Sequence, residues 1–148
     1  MSAELVASLR AHLEELTGLL RLPVERLELP QDEGWTARQV LAHLADFELI
    51  AAVRVRVALS LDRPPLPAYG QEAFTDRFGA VETPAEALER FAVNRRATLR
   101  VLEAIDAEDW EREGVHPHRG AESLRQTVEA LARHDRAHLD QLRAAAGA

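Results

Sequence analysis

The chain contains no cysteine and no lysine. Without Cys it has no disulfide, no thiolate metal ligand and no thiol nucleophile of its own, so any metal must be held by histidines and carboxylates. Without Lys there is no side-chain amine for Schiff-base chemistry. All 18 basic residues are arginine, a bias that a GC-rich coding sequence explains. Aromatic residues make up only 5% of the 148, so Leu, Val and Ala must fill the core. No apolar run reaches the roughly 18 residues that a membrane span requires. The first residues show no basic segment followed by an apolar stretch, which predicts a cytoplasmic rather than an exported protein. The net charge of −7 argues against a nucleic-acid partner. The length fits a single domain over residues 1–148.

The apolar residues that are present recur at helical spacing in four stretches. Leu5, Leu9, Leu13, Leu16 and Leu20 make one stripe over about residues 3–21. A second helix starts after Thr36, an N-cap with Gln39 three residues on to complete a capping box. Trp35 and Val40 sit where a hydrophobic staple places them, and the pattern continues to about Leu61. A third helix opens at Thr83-Pro84-Ala85-Glu86 and carries Leu88, Phe91, Leu99, Leu102 and Ile105. The fourth opens at Ser123 with Gln126 as its capping-box partner and runs to about Ala145. Between the second and third lies a long connection, residues 62–82, rich in Pro and Gly. Connections of that length in a bundle cross it or cover a site. Tyr69, Phe74 and Phe78 should pack it down, with Phe74 on a short helical turn. No stretch alternates as a strand does. The expected fold is an all-α four-helix bundle with a long crossover between helices two and three.

His134 and His138 are spaced i, i+4, so both imidazoles share one helix face about one turn apart. His43 falls beside the stripe of the second helix and faces the bundle interior. A buried neutral imidazole needs partners for both ring nitrogens. Three of them among Leu and Ala are hard to satisfy separately, whereas one shared ion satisfies a nitrogen of each. Three neutral His ligands with an open position suit zinc, and also nickel. The alternative is three separately hydrogen-bonded core histidines. His12, in the middle of the first stripe, is a satisfied core residue, a fourth ligand or a group behind the ligands. His116 and His118 flank Pro117 in a polar loop. His134 lies about 16 Å along the helix from Ser123, so these two read as a solvated turn unless the loop folds back.

Two blocks resemble the DinB-like (YfiT-like) superfamily. One is Gly34-Trp35-Thr36-Ala37-Arg38-Gln39-Val40-Leu41-Ala42-His43-Leu44-Ala45-Asp46-Phe47-Glu48, a tryptophan-led helix start followed by histidine and an acidic residue. The other is His134-Asp135-Arg136-Ala137-His138-Leu139-Asp140-Gln141-Leu142, similar to the closing HxxxHxxQ helix of that family. The resemblance implies a four-helix bundle with a divalent metal on His43, His134 and His138. It also implies one of several activities. The superfamily includes S-transferases and isomerases that use bacillithiol or mycothiol, and members described as metal-dependent hydrolases. Homodimers are common in it, and one is expected here.

Three classes stay open. In a thiol-dependent S-transferase, a low-molecular-weight thiol would bring the nucleophile that this Cys-free chain lacks, and the ion would hold it ionised. In a metal-dependent hydrolase, water is the nucleophile and a nearby carboxylate or histidine serves as base. Asp46, i+3 from His43, is the first choice for that catalytic role, ahead of Glu48 and Asp135. The third class is a non-catalytic metal- or ligand-binding stress protein. Arg95 in the third stripe and Arg54, three turns on from His43, are candidate anchors for a small-molecule substrate or thiol cofactor. Internal salt bridges or snorkelling are the alternatives for both. Gln141, one turn beyond His138, is a candidate to orient a ligand or a histidine, and Tyr69 a candidate to bring a hydroxyl over the metal.

Overall fold

A computed structural model of the chain describes residues 2–148. Its elements are α1 (Ser2–Leu19), α2 (Val24–Leu27), α3 (Ala37–Ser60), α4 (Gln71–Phe78), α5 (Pro84–Ala104), a 3-10 turn (Ala107–Glu111), β1 (Glu113–His116), β2 (Gly120–Ser123) and α6 (Leu124–Ala145). The three long helices after α1 begin where their capping boxes place them. Thr36, Thr83 and Ser123 each accept from the backbone N–H three residues on, and the side chains of Gln39, Glu86 and Gln126 accept from the cap N–H in return. Two orphan donors are thereby satisfied at each start.

The long helices α1, α3, α5 and α6 form the bundle. α3 packs on α5 and α6, and α1 packs on the same two, so α1 and α3 lie diagonally across the core. No helix is long and apolar enough to cross a membrane. The core divides into two apolar clusters. One holds Leu13, Leu16, Ala45, Phe91, Ala92, Leu139 and Leu142. The other holds Leu9, Ala51, Val55, Leu99, Leu102, Val128 and Leu131. At the junction each long helix contributes one polar side chain, namely His12, Glu48, Arg95 and Asp135. Arg95 is wholly buried and donates to Glu48 Oε2 at 2.8 Å, to Asp135 Oδ2 at 2.8 Å and Oδ1 at 3.1 Å, and to the Leu9 carbonyl at 3.1 Å. His12 Nδ1 lies 3.0 Å from Asp135 Oδ2. The charges of the layer pair within it, while Glu48 Oε1 and Arg95 Nε are buried without a hydrogen-bond partner.

The crossover packs through Tyr69 and Phe74, while Phe78 stays exposed against the sequence expectation. Tyr69, Phe74 and Phe78 form a run of edge-to-face ring contacts, and Phe74 lies on a full two-turn helix, α4. The loop before α6 departs from the sequence expectation. It is an antiparallel hairpin, with Glu113 opposite Ser123 and His116 opposite Gly120. Gly120 takes φ +79°, a conformation that favours glycine, and so closes the turn. The hairpin is pinned to the crossover by Leu66 N–H to Val115 O and Val115 N–H to Pro64 O, both 2.8 Å. A Cβ on Gly114 would stand 2.6 Å from Leu66 Cδ2, so this approach depends on glycine. Strands of four residues are too short to show alternation, and the long-range pairing that stabilises them is not a local property of the sequence.

Candidate metal centre

His43 is delivered by the second turn of α3 and is fully buried. His134 and His138 come from α6, one turn apart on the face turned to α3. The three Nε2 atoms converge: His43 Nε2 is 2.8 Å from His134 Nε2 and 3.1 Å from His138 Nε2. Each ring offers one nitrogen, all within 4.8 Å of one another. His12 is outside this group and is engaged with Asp135 instead.

The outward nitrogens are held unequally, and His134 Nδ1 is buried without a hydrogen-bond partner. Gln141 Oε1 accepts from His138 Nδ1 at 2.8 Å, which places that ring's proton on Nδ1 and leaves Nε2 as a lone pair. Tyr69 from the crossover sets its hydroxyl 2.8 Å from His43 Nδ1. The rings are held on their faces as well. Trp35 packs beside His43 and His138, at centroid distances of 5.1 and 6.4 Å, and Phe47 stacks on His134 at 3.9 Å. Burial, reinforced by the neighbouring imidazoles, pulls the pKa of His43 and of His134 down to about 3. Both rings are therefore neutral at physiological pH, the form a metal ligand must have. The three Nε2 atoms can all present lone pairs to one point only with a cation among them, and the donor set fits a borderline divalent ion.

The other candidates fall differently. Asp46 is buried beside the cluster, but its Oδ1 accepts from Arg90 Nη2 at 2.9 Å. Burial raises its pKa, with Arg90 opposing. Arg95 belongs to the buried layer with Glu48 and Asp135, so its anions come from within the chain and it lines no cavity at the site. Arg54 is nearer the site. Its Nε and Nη2 donate to the Pro67 carbonyl at 3.1 and 2.8 Å, and its guanidinium lies over Phe47, the ring that stacks on His134.

A cavity of about 260 Å³ opens beside His134, walled by Phe47, Arg54 and Tyr69 on one side and by His116, His118 and Arg119 on the other. The hairpin thus folds back along α6, and both loop histidines line this cavity, although His118 at the turn stays exposed. His116 is buried. Pro117 followed by Gly120 was the available sign of a tight turn, but nothing local fixed where the turn would dock.

The chain matches the model of the DinB superfamily over residues 5–142. It belongs to that superfamily. A protein of Oceanobacillus iheyensis, provisionally named a metal-dependent hydrolase, is 28% identical over 134 residues, spanning 86% of this chain and 77% of its own. A Bacillus cereus protein with the same provisional name is 24% identical over 152 aligned positions, spanning 97% and 88%. Among solved structures, YfiT from Bacillus subtilis superposes with a TM-score of 0.84 at 21% identity, covering 96% of this chain and 85% of that one. YfiT is described as a probable metal-dependent hydrolase with an unusual four-helix bundle topology. At that identity the likeness establishes the fold.

Proposed function

We propose that the chain is a divalent-metal enzyme that transfers a low-molecular-weight thiol, of the bacillithiol or mycothiol type, onto a small electrophile. The observation that carries the metal is the convergence of the Nε2 atoms of His43, His134 and His138 beside an open cavity. A zinc- or nickel-class ion, when bound, lowers the pKa of a coordinated thiol or water and polarises a carbonyl. The chain's own part is to hold and shield. Tyr69 and Gln141 fix two of the rings through Nδ1, and Trp35 and Phe47 keep water from the ring faces.

The cavity wall favours a thiol over water. No carboxylate is among the described residues that line it; Asp46 lies off the wall, with Oδ1 held by Arg90 and Oδ2 without a partner. A thiol is far more acidic than water, so on binding an ion its proton can pass to solvent without a protein base, whereas hydrolysis calls for a group to take the proton of water. The second reading is a metal-dependent hydrolase, which the names of the relatives favour. In that reading Asp46, on α3 with His43, stays the candidate base.

Metal content by mass spectrometry of untagged protein tests the common ground. About one divalent ion per chain is expected, lost in His43→Ala and in His134→Ala. A chain that binds neither zinc nor nickel refutes both readings. With metal bound, turnover of an electrophile only on addition of thiol supports the transferase, and ester or amide turnover without thiol supports the hydrolase.

A further inference from the structure

The hairpin turn His116-Pro117-His118-Arg119-Gly120 takes no part in the three-histidine cluster, yet the fold pins it against the crossover and over the cavity beside His134. The charges it meets there are unusual. Arg54 is only 5% exposed, and among the described residues no carboxylate pairs with it; its protein partner is the Pro67 carbonyl. That contact uses Nε and Nη2, fixes the guanidinium and leaves Nη1 for another acceptor. Burial, then the charge of Arg119, press its pKa downward. A buried guanidinium without an anion is a costly arrangement unless a ligand brings one.

His116 adds a directed donor. Its Nδ1 accepts from the backbone N–H groups of His118 and Arg119, both at 3.1 Å. The proton of the neutral ring is therefore on Nε2, which leaves a donor on a residue that lines the cavity. Burial and the nearby Arg119 and Arg54 hold the ring below its ordinary pKa. Arg119, half exposed, is the second guanidinium. Its Nε and Nη2 donate to Glu122 at 2.9 and 3.0 Å, and Thr127 Oγ1 donates to the same carboxylate at 3.1 Å. Glu122 stands behind Arg119 and is not on the cavity wall.

We propose that this cavity is an oxyanion site, in which Arg54, His116 and Arg119 hold a carboxylate or phosphate group of a small ligand whose other end reaches His134. The three donors come from α3 and from the two ends of the hairpin turn, which is why the hairpin must dock where it does. Charge-assisted, multidentate recognition of this kind is what guanidinium groups do best. That the far end of the ligand reacts there rests on the metal-enzyme reading; the anion site itself does not.

The test is a titration of the full chain, metal-loaded and chelator-treated, with inorganic phosphate and separately with malonate. The readout is the imidazole nitrogen NMR signals of His116 and His118. Saturable shifts at one anion per chain are expected in both forms, and the tighter probe identifies the oxyanion. Arg54→Gln should weaken binding about tenfold or more, and Arg119→Gln, at a half-exposed position, about threefold. Glu122→Gln removes the competing negative charge while keeping its hydrogen-bonding shape, and should tighten binding severalfold, a sign that a mere folding defect does not produce. Absence of saturable shifts with both probes overturns the proposal, as do affinities unmoved in Arg119→Gln and Glu122→Gln. Shifts seen only with metal, and confined to His43, His134 and His138, also overturn it by assigning the anion to the ion. Anion binding that persists in a chain unable to bind metal supports this site and refutes the metal-enzyme reading alone.

Discussion

The buried layer predicts a large and specific loss from Arg95→Met. Methionine fits the apolar surroundings and removes only the cation. Glu48 and Asp135 are 0% and 1% exposed, so neither can turn to water, and both lose a 2.8 Å partner. Removing one member of a buried ion pair costs about 3–5 kcal/mol, because the other charge stays uncompensated. For a chain of this size that lowers Tm by about 10 °C or more. Asp135 keeps His12, so most of the penalty falls on Glu48. Its pKa is already pushed up by burial, and Arg95 is the main influence holding it down. Without Arg95 it rises further. A carboxyl whose pKa is higher folded than unfolded binds more protons when folded, so its contribution to stability falls as pH rises through that window. The variant should therefore be closer to the parent at pH 5 than at pH 8. Arg95→Met/Glu48→Met should recover part of the loss. Urea unfolding of the metal-free chain at both pH values measures all of this. A loss below about 1 kcal/mol in Arg95→Met, or one equal at pH 5 and pH 8, would refute the account of the layer as an ion network whose charges depend on one another.

Two further outcomes concern the histidines directly. Tyr69→Phe removes the hydroxyl 2.8 Å from His43 Nδ1 and little else; loss of such a ring-orienting partner typically weakens metal affinity 10–100-fold, and a chelator competition titration that finds parent-like affinity would show that the contact does not orient the ligand. His43 and His134 have pKa values near 3 in the folded chain against an ordinary 6.5. The folded state thus binds fewer protons than the unfolded one. The stability this provides is complete above pH 6.5 and is lost as pH falls from there toward 3. Thermal melts of metal-free protein should show Tm declining across that window, and His134→Ala should flatten the decline.

What the sequence disclosed and what it withheld follow one physical line. Features fixed within a single turn of chain were legible. Thr36 with Gln39, Thr83 with Glu86 and Ser123 with Gln126 started helices where expected, because a capping box is a contact between residues three apart. The i, i+4 spacing put His134 and His138 on one face for the same reason, and the helical stripe turned His43 inward. The crossover's length and its aromatics announced a packed segment, which holds for the half-buried Tyr69 and Phe74 and not for Phe78, which stays exposed. Features that depend on which helix lies beside which were not legible. Whether His12 joins the other histidines depends on which helices are neighbours. With α1 and α3 diagonal, it meets Asp135 on α6 instead. Arg95 was recognisable as a buried cation, but its two anions, 47 residues before it and 40 after it, become partners only in the assembled bundle. The hairpin is the extreme case. Its pairing is local, yet its position rests on two backbone hydrogen bonds to a segment about fifty residues earlier. Those two bonds decide whether His116 and Arg119 are solvated turn residues or walls of the cavity beside His134. The proposed site is thus divided: helical periodicity sets which histidines face inward, while tertiary docking brings α3 to α6 and sets what lines the cavity beside His134.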